Sequence, residues 1–335
     1  MAFSSSRDYT ESFTAAGLIL SALRKLGILD MAEGVNSSEE TAALVTLNLI
    51  VKEWTAKGAD VWLRKTGHLF LNDPGTVDGY TFGTSGSGYF TSLYYTTTVA
   101  TAAAASATTL VVTDDTNMSN TDIILIENDD GTLTDTTISG APSSNSVTLA
   151  AGLDSAVAAG NIVYSWPTTS NIDDKVSNLI YVNRRVTNTD NAATNAGYME
   201  GVDSPVRMIG EEEYQSLSTK LQTGAPVSVY LREAAVNPEL FIWPTGGTDN
   251  HHSLVIEYLT YFQDLDATTN NLDLPPEGVN ALVYQLACEL APEYGLSIQE
   301  QRNLKSISDE KVEAFFDYMV EDAPVVFSQN YMRRR

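Results

Sequence analysis

Forty-three acidic residues against nineteen Lys and Arg give this 335-residue chain a net charge of −24 and a pI near 4.3. That balance excludes a general nucleic-acid binder, whose affinity for a phosphate backbone comes from cationic side chains that release counterions. The length suffices for a substantial core and predicts two or three structural units. The single cysteine, Cys288, excludes an intrachain disulfide and predicts a small core residue. With no run of 18 or more apolar residues and no N-terminal pattern of the signal-peptide kind, a soluble protein made in a cytoplasm is expected, without membrane contact.

The elements follow in chain order. Across residues 11–26, Phe13, Ala16, Leu20, Leu23 and Leu26 recur at helical spacing ahead of Gly27, a suitable C′ residue. Ser37 and Glu40 predict a capping box for a second helix, carried by Leu44, Leu47, Ile50, Val51 and Trp54 and ended near Gly58. From Val61 to Leu71 the pattern shifts to alternation, and Tyr80 to Phe82 sits among glycines, which predicts short strands and tight turns. Residues 96–166 differ from their surroundings: they hold eight acidic residues, no Lys, Arg, His or Phe, and much Thr, Ala, Val and Ile. Segments 110–113, 123–127, 136–139, 146–149 and 161–165 read as five strands with the rhythm of a small sandwich or barrel, and 96–109 reads as an entry linker.

Strands are also expected at 179–186, 227–231, 240–243 and 254–262, together forming a sheet or half a sandwich. In the last of these, Leu254, Ile256, Tyr258 and Thr260 share one face. Glu211, Glu212 and Glu213 after Gly210 suit the first turn of a short helix, where the dipole favours negative charge. Pro275 and Pro276 open a further helix with Val279, Leu282, Val283, Leu286, Ala287 and Leu290 as its apolar stripe, closed by Pro292 and Gly295. Ser297 and Glu300 form another capping box, and Leu304, Ile307, Val312, Phe315, Phe316 and Met319 carry a last helix to about residue 321, before Pro324.

Residues able to carry chemistry have plainer readings. Asp129-Asp130-Gly131 predicts a type I′ hairpin turn in preference to a calcium loop, because the calcium pattern needs a carboxylate where Ile126 stands. His251 and His252 are adjacent and face opposite sides of a strand, so they cannot chelate one ion together, which argues against a zinc site with His68. The run Gly83 to Gly88 lacks a P-loop lysine and reads as a flexible loop. An acid pair for glycoside hydrolysis could assemble by chance from so many carboxylates. After Pro324, apolar Phe327, Tyr331 and Met332 precede Arg333, Arg334 and Arg335, a pattern suited to an arm that fills grooves and meets carboxylates on a partner.

Leu274-Pro275-Pro276-Glu277, the apolar run after it and Leu290-Ala291-Pro292-Glu293-Tyr294-Gly295 resemble the C-terminal helix of the head-to-tail adaptor family of short-tailed bacteriophages, also called connector or packaged-DNA stabilisation proteins. Residues 38–54 look like that family's second helix and Tyr80 to Gly83 like a turn of its first strands. Segments 209–214, 224–230 and 240–244 are similar to its central β-region, in the same order.

The resemblance implies an α+β fold with a helical bundle core from residues 1–70 and 275–322. It implies a β-rich region at 71–95 and 167–274 and favours a C-terminal docking arm at 323–335, while the acidic all-β module at 96–166, set apart by its composition, reads as an insertion of a kind some family members carry. It further implies a structural virion protein and not an enzyme, and the residue readings above give no cofactor and no metal. A dodecameric ring would dock beneath the portal protein, join head to downstream tail proteins (nozzle or tail hub) and help retain packaged DNA. Double-stranded DNA would then pass through the lumen without specific binding, and Phe327, Tyr331, Met332, Arg333, Arg334 and Arg335 would dock between portal subunits. The alternatives are a tail-tip or receptor-binding protein and a wall-degrading virion enzyme.

Overall fold

The computed structural model describes residues 13–29, 34–58, 63–71, 79–82, 89–172, 174–186, 202–234, 237–245, 252–272 and 274–319. The fold is mixed α+β. Its helices are α1 (Ala15–Lys25), α2 (Ser37–Ala56), α3 (Glu211–Ser216), α4 (Pro276–Leu290) and α5 (Ile298–Met319). Its strands are β1 (Arg64–Phe70), β2 (Gly79–Thr81), β3 (Phe90–Thr91), β4 (Tyr95–Thr101), β5 (Thr109–Val112), β6 (Ile123–Glu127), β7 (Leu133–Thr137), β8 (Ser146–Thr148), β9 (Ile162–Trp166), β10 (Val176–Val186), β11 (Val202–Pro205), β12 (Arg207–Met208), β13 (Ser228–Arg232), β14 (Glu239–Trp243) and β15 (His252–Thr260). The chain divides into two units, residues 1–63 with 262–335, and residues 64–261. No helix among the described residues is long and apolar enough to cross a membrane.

The first unit is helical. Thr14 caps α1 by accepting the Gly17 N–H at 3.2 Å, and the Ala15 and Ala16 N–H groups donate to the carbonyls of Asn270 and Thr268, which satisfies donors a helix start leaves open. The cap of α2 is Asn36, whose side chain accepts the Ser38 N–H at 3.4 Å; Ser37 is already the first helical residue, so the expected Ser37 box is displaced by one position. At α5 the reciprocal box forms, with Ser297 N–H donating to Glu300 and Glu300 N–H to the Ser297 hydroxyl at 3.0 and 3.3 Å.

Helix α4 packs against α1, α2 and α5, and its Leu282, Leu286 and Ala287 are fully buried beside Leu18, Leu47 and Trp54. Cys288 is half-buried on the flank of α4 and not in the core, and burial pushes its thiol pKa up. Phe262, Leu265, Leu272 and Leu274 complete this core, so 262–274 belongs with the helices and not with the β-region. Side-chain amide and backbone interlock there: Asn48 donates to the Leu265 carbonyl at 3.1 Å and accepts its N–H at 3.0 Å.

In the second unit, two sheets enclose one core that includes Leu69, Phe82, Phe90, Val229, Leu240 and Ile256. One sheet runs β11-β10-β15-β1-β3 and the other β12-β13-β14-β2. The four strands expected to lie together are therefore split, β10 and β15 in the first sheet and β13 and β14 in the second. Segment 64–70, grouped with the helices on sequence, is strand β1: its register with β15 sets Leu69 opposite Leu254 and Gly67 opposite Ile256 on the core face. On β15, Leu254, Ile256, Tyr258 and Thr260 are all buried, as their alternation predicts.

Strands β4 to β9 pair only with one another, in the order β7-β6-β9-β4-β5-β8. The bridge between Ile138 and Leu149, with Ser139 N–H donating to Thr148 at 2.8 Å and Ala150 N–H to Thr137 at 2.9 Å, joins the two outer strands and closes a small barrel. The entry linker expected at 96–109 is corrected here. Residues 95–101 form β4, a central strand whose Thr96, Thr97 and Thr98 pair with Tyr164, Val163 and Ile162, since β-branched threonines suit a pleated strand. Strand β7 covers Leu133–Thr137 and not 136–139. The Asp129-Asp130-Gly131 turn is also corrected. Gly131 N–H donates to the Asn128 carbonyl at 3.1 Å and only Gly131 takes positive φ (80°), which makes a type I turn followed by a left-handed glycine.

Candidate functional site

The arm residues Phe327, Tyr331, Met332, Arg333, Arg334 and Arg335 lie outside the described residues, as do His251 and the Gly83–Gly88 run. His68 stands on β1, and no group of three or more His, Cys, Asp or Glu residues suited to a metal ion occurs among the described residues. Three other features remain.

Helix α2 is apolar on two sides. Its inner face, Leu44, Leu47, Ile50, Val51 and Trp54, is buried, whereas Val45 and Leu49 on the outer face are 58% and 63% exposed. Ala42 and Ala56 extend that exposed face at heptad spacing. Helix α5 is packed along a narrow strip with Ser308 and Phe315 buried, and it leaves Ile307 and Tyr318 exposed. Sequence periodicity marked Ile307 as core; the α4 contact instead falls on Leu304, Val312 and Phe315.

A cleft of about 480 Å³ in the second unit is lined by Lys65, Thr66, Ser92, Asn171, Ile172, Asp174 and Tyr258. Lys65 Nζ lies 2.9 Å from Asp174, which also accepts the Tyr258 hydroxyl at 3.2 Å. Burial and the Asp174 charge both push the Tyr258 pKa up. Asp174 is the one carboxylate among the described lining residues, whereas glycoside hydrolysis uses two.

The third feature is the seam where the barrel meets the five-stranded sheet. Phe70 stacks on Trp166 at 5.0 Å and touches Tyr164 and Tyr94, and Leu125 and Ile162 complete the apolar contact. Tyr89 donates a hydrogen bond to Asp135 of the barrel, whose carboxyl is nonetheless pushed above the usual range by burial. On the sheet side, Arg185 makes two 2.8 Å bonds to Asp203 and reaches the Tyr94 hydroxyl at 3.5 Å. The Arg185 bond holds the Asp203 carboxyl below its ordinary range. His68 packs edge-on against Tyr94 at 4.8 Å; burial first, then the Arg185 charge, pushes its pKa down to about 4. Sequence alone gives no signal for this cluster, because its members come from seven separate segments.

Compared with known proteins, the chain matches no family model and no curated sequence.

Proposed function

We propose that the chain is a ring-forming head-to-tail adaptor of a bacteriophage virion, docking under the portal protein, joining head to tail and helping to retain packaged DNA. In this reading the helical unit is the bundle core of the subunit, the barrel is an inserted module, and residues 323–335 are the docking arm. One observation carries it beyond the sequence resemblance: helices from both chain ends gather around α4, the helix with the adaptor-like signature, while α2 keeps an exposed apolar outer face. A helix apolar on opposite sides is suited to packing on a neighbour as well as on its own core. A head-to-tail contact of that kind closes into a ring when the rotation permits, and many weak contacts then make one long-lived assembly. The large negative charge suits a conduit that DNA crosses without adhering.

The test mixes the purified chain with the portal protein of the same genome and reads mass and symmetry by electron microscopy, beside a chain truncated after Ala323 and a Leu49→Glu variant. A ring on the portal is expected, lost on truncation and weakened by Leu49→Glu at unchanged circular dichroism. Absence of any association with the portal overturns the reading.

A further inference from the structure

The seam between barrel and sheet has the construction of a docked module more than that of a continuous core. All six barrel strands find their partners inside 95–166, so the barrel needs the sheet for no backbone bond of its own ladder. The chain enters and leaves it through neighbouring connectors held together at their base. Thr91 accepts and donates around Leu93 and Ser170, and Ser92 N–H donates to the Ser170 carbonyl at 3.0 Å. That clasp stays with the sheet, where Thr91 pairs with His68. A rotation about the clasp would part the aromatic contact of Phe70 with Trp166 and Tyr164 without breaking a strand.

His68 sits at the edge of that contact. Its Nδ1 is buried with no hydrogen-bond partner among the described residues. The groups that face it are Tyr94 from the connector, Arg185 from β10 and Asp203 from β11; its strand neighbours Thr91 and Val255 carry no charge. The nearby carboxylate, Asp203, is already engaged by both nitrogens of the Arg185 fork. A proton on His68 would therefore place a second cation beside Arg185, whose Asp203 partner is already engaged.

We propose that protonation of His68 undocks the barrel from the five-stranded sheet, making the module an acid-released arm. The sign follows from linkage: the docked form holds the histidine neutral, so docking is at full strength above the ordinary pKa of 6.5 and is lost progressively as pH falls toward about 4.

The intact chain labelled with 5-fluorotryptophan tests this by fluorine NMR, with the Trp166 signal assigned through Trp166→Phe and Trp54 as the reporter of the helical unit. Between pH 7.5 and 4 the Trp166 signal is expected to move to a solvent-exposed position while that of Trp54 stays. His68→Phe and, as a second replacement, His68→Gln are expected to hold Trp166 at its docked position throughout. The idea is overturned if Trp166 does not move by pH 4, if Trp54 moves with it, or if either well-folded His68 variant keeps the response.

Discussion

Gly67 shows how much a single missing methyl group can organise. In strand β1 the ring of Phe90 and the end of Ile172 lie over its backbone, and a Cβ there would meet both at 2.5 Å. Phe90 is itself wedged between Phe82 and Tyr258, so it has no room to retreat. Gly67→Ala is expected to destabilise the second unit by about 1–3 kcal/mol, the usual cost of overfilling a packed core, read as a lower denaturant midpoint at unchanged slope. A glycine inside a strand pattern is a legible hint of close backbone approach. What approaches is not legible, because Phe90 arrives from a two-residue strand with no periodicity to announce it. The same holds for His68 next door: its neighbours Tyr94, Arg185 and Asp203 are scattered along the sequence, and only the fold gathers them.

Among the elements, α2 is tied to both the segment before α4 and the helices α4 and α5 by specific side chains. Trp54 donates to Gln285 of α4 at 2.5 Å and lies 5.2 Å from the Phe315 ring of α5, while Asn48 ties α2 to the extended segment before α4. Asn48→Leu removes both bonds to Leu265 and leaves that residue's N–H and carbonyl without their partner. A loss of about 1–3 kcal/mol is expected, the cost of unpaired polar groups away from water, measured by thermal unfolding of the helical unit. The helices were legible because their apolar residues recur at spacings of three and four and because caps mark their starts. Strand β4 was not, since Thr and Ala give no hydrophobic alternation and Val99 alone of its residues is buried; its place is set by pairing with β5 and β9. Nor could periodicity divide β10, β13, β14 and β15 between two sheets: each alternates in the same way, and only long-range pairing separates them.

At the scale of the whole molecule, the barrel carries eight acidic residues and no Lys or Arg, a third of the net charge on roughly a fifth of the chain. Its strand ladder is complete in itself, and its attachment is the aromatic seam and the clasp at Thr91 and Ser170. Replacing residues 95–166 by a short Gly-Ser linker should therefore leave both the two-sheet core and the helical unit folded, because no strand of either sheet loses a partner. The cost is an exposed Phe70, which Phe70→Thr would relieve by restoring a polar outer face to β1. If the adaptor reading is right, the shortened chain still forms its ring on the portal, since the helical unit and the arm lie outside the deleted segment. Electron microscopy of the portal mixture and adsorption assays on virions built with the shortened chain then separate the two roles open to the barrel. Rings that form with adsorption lost place the barrel in host contact. A folded chain that no longer assembles places it in the joint itself, and the acid release proposed for the seam would then act on assembly.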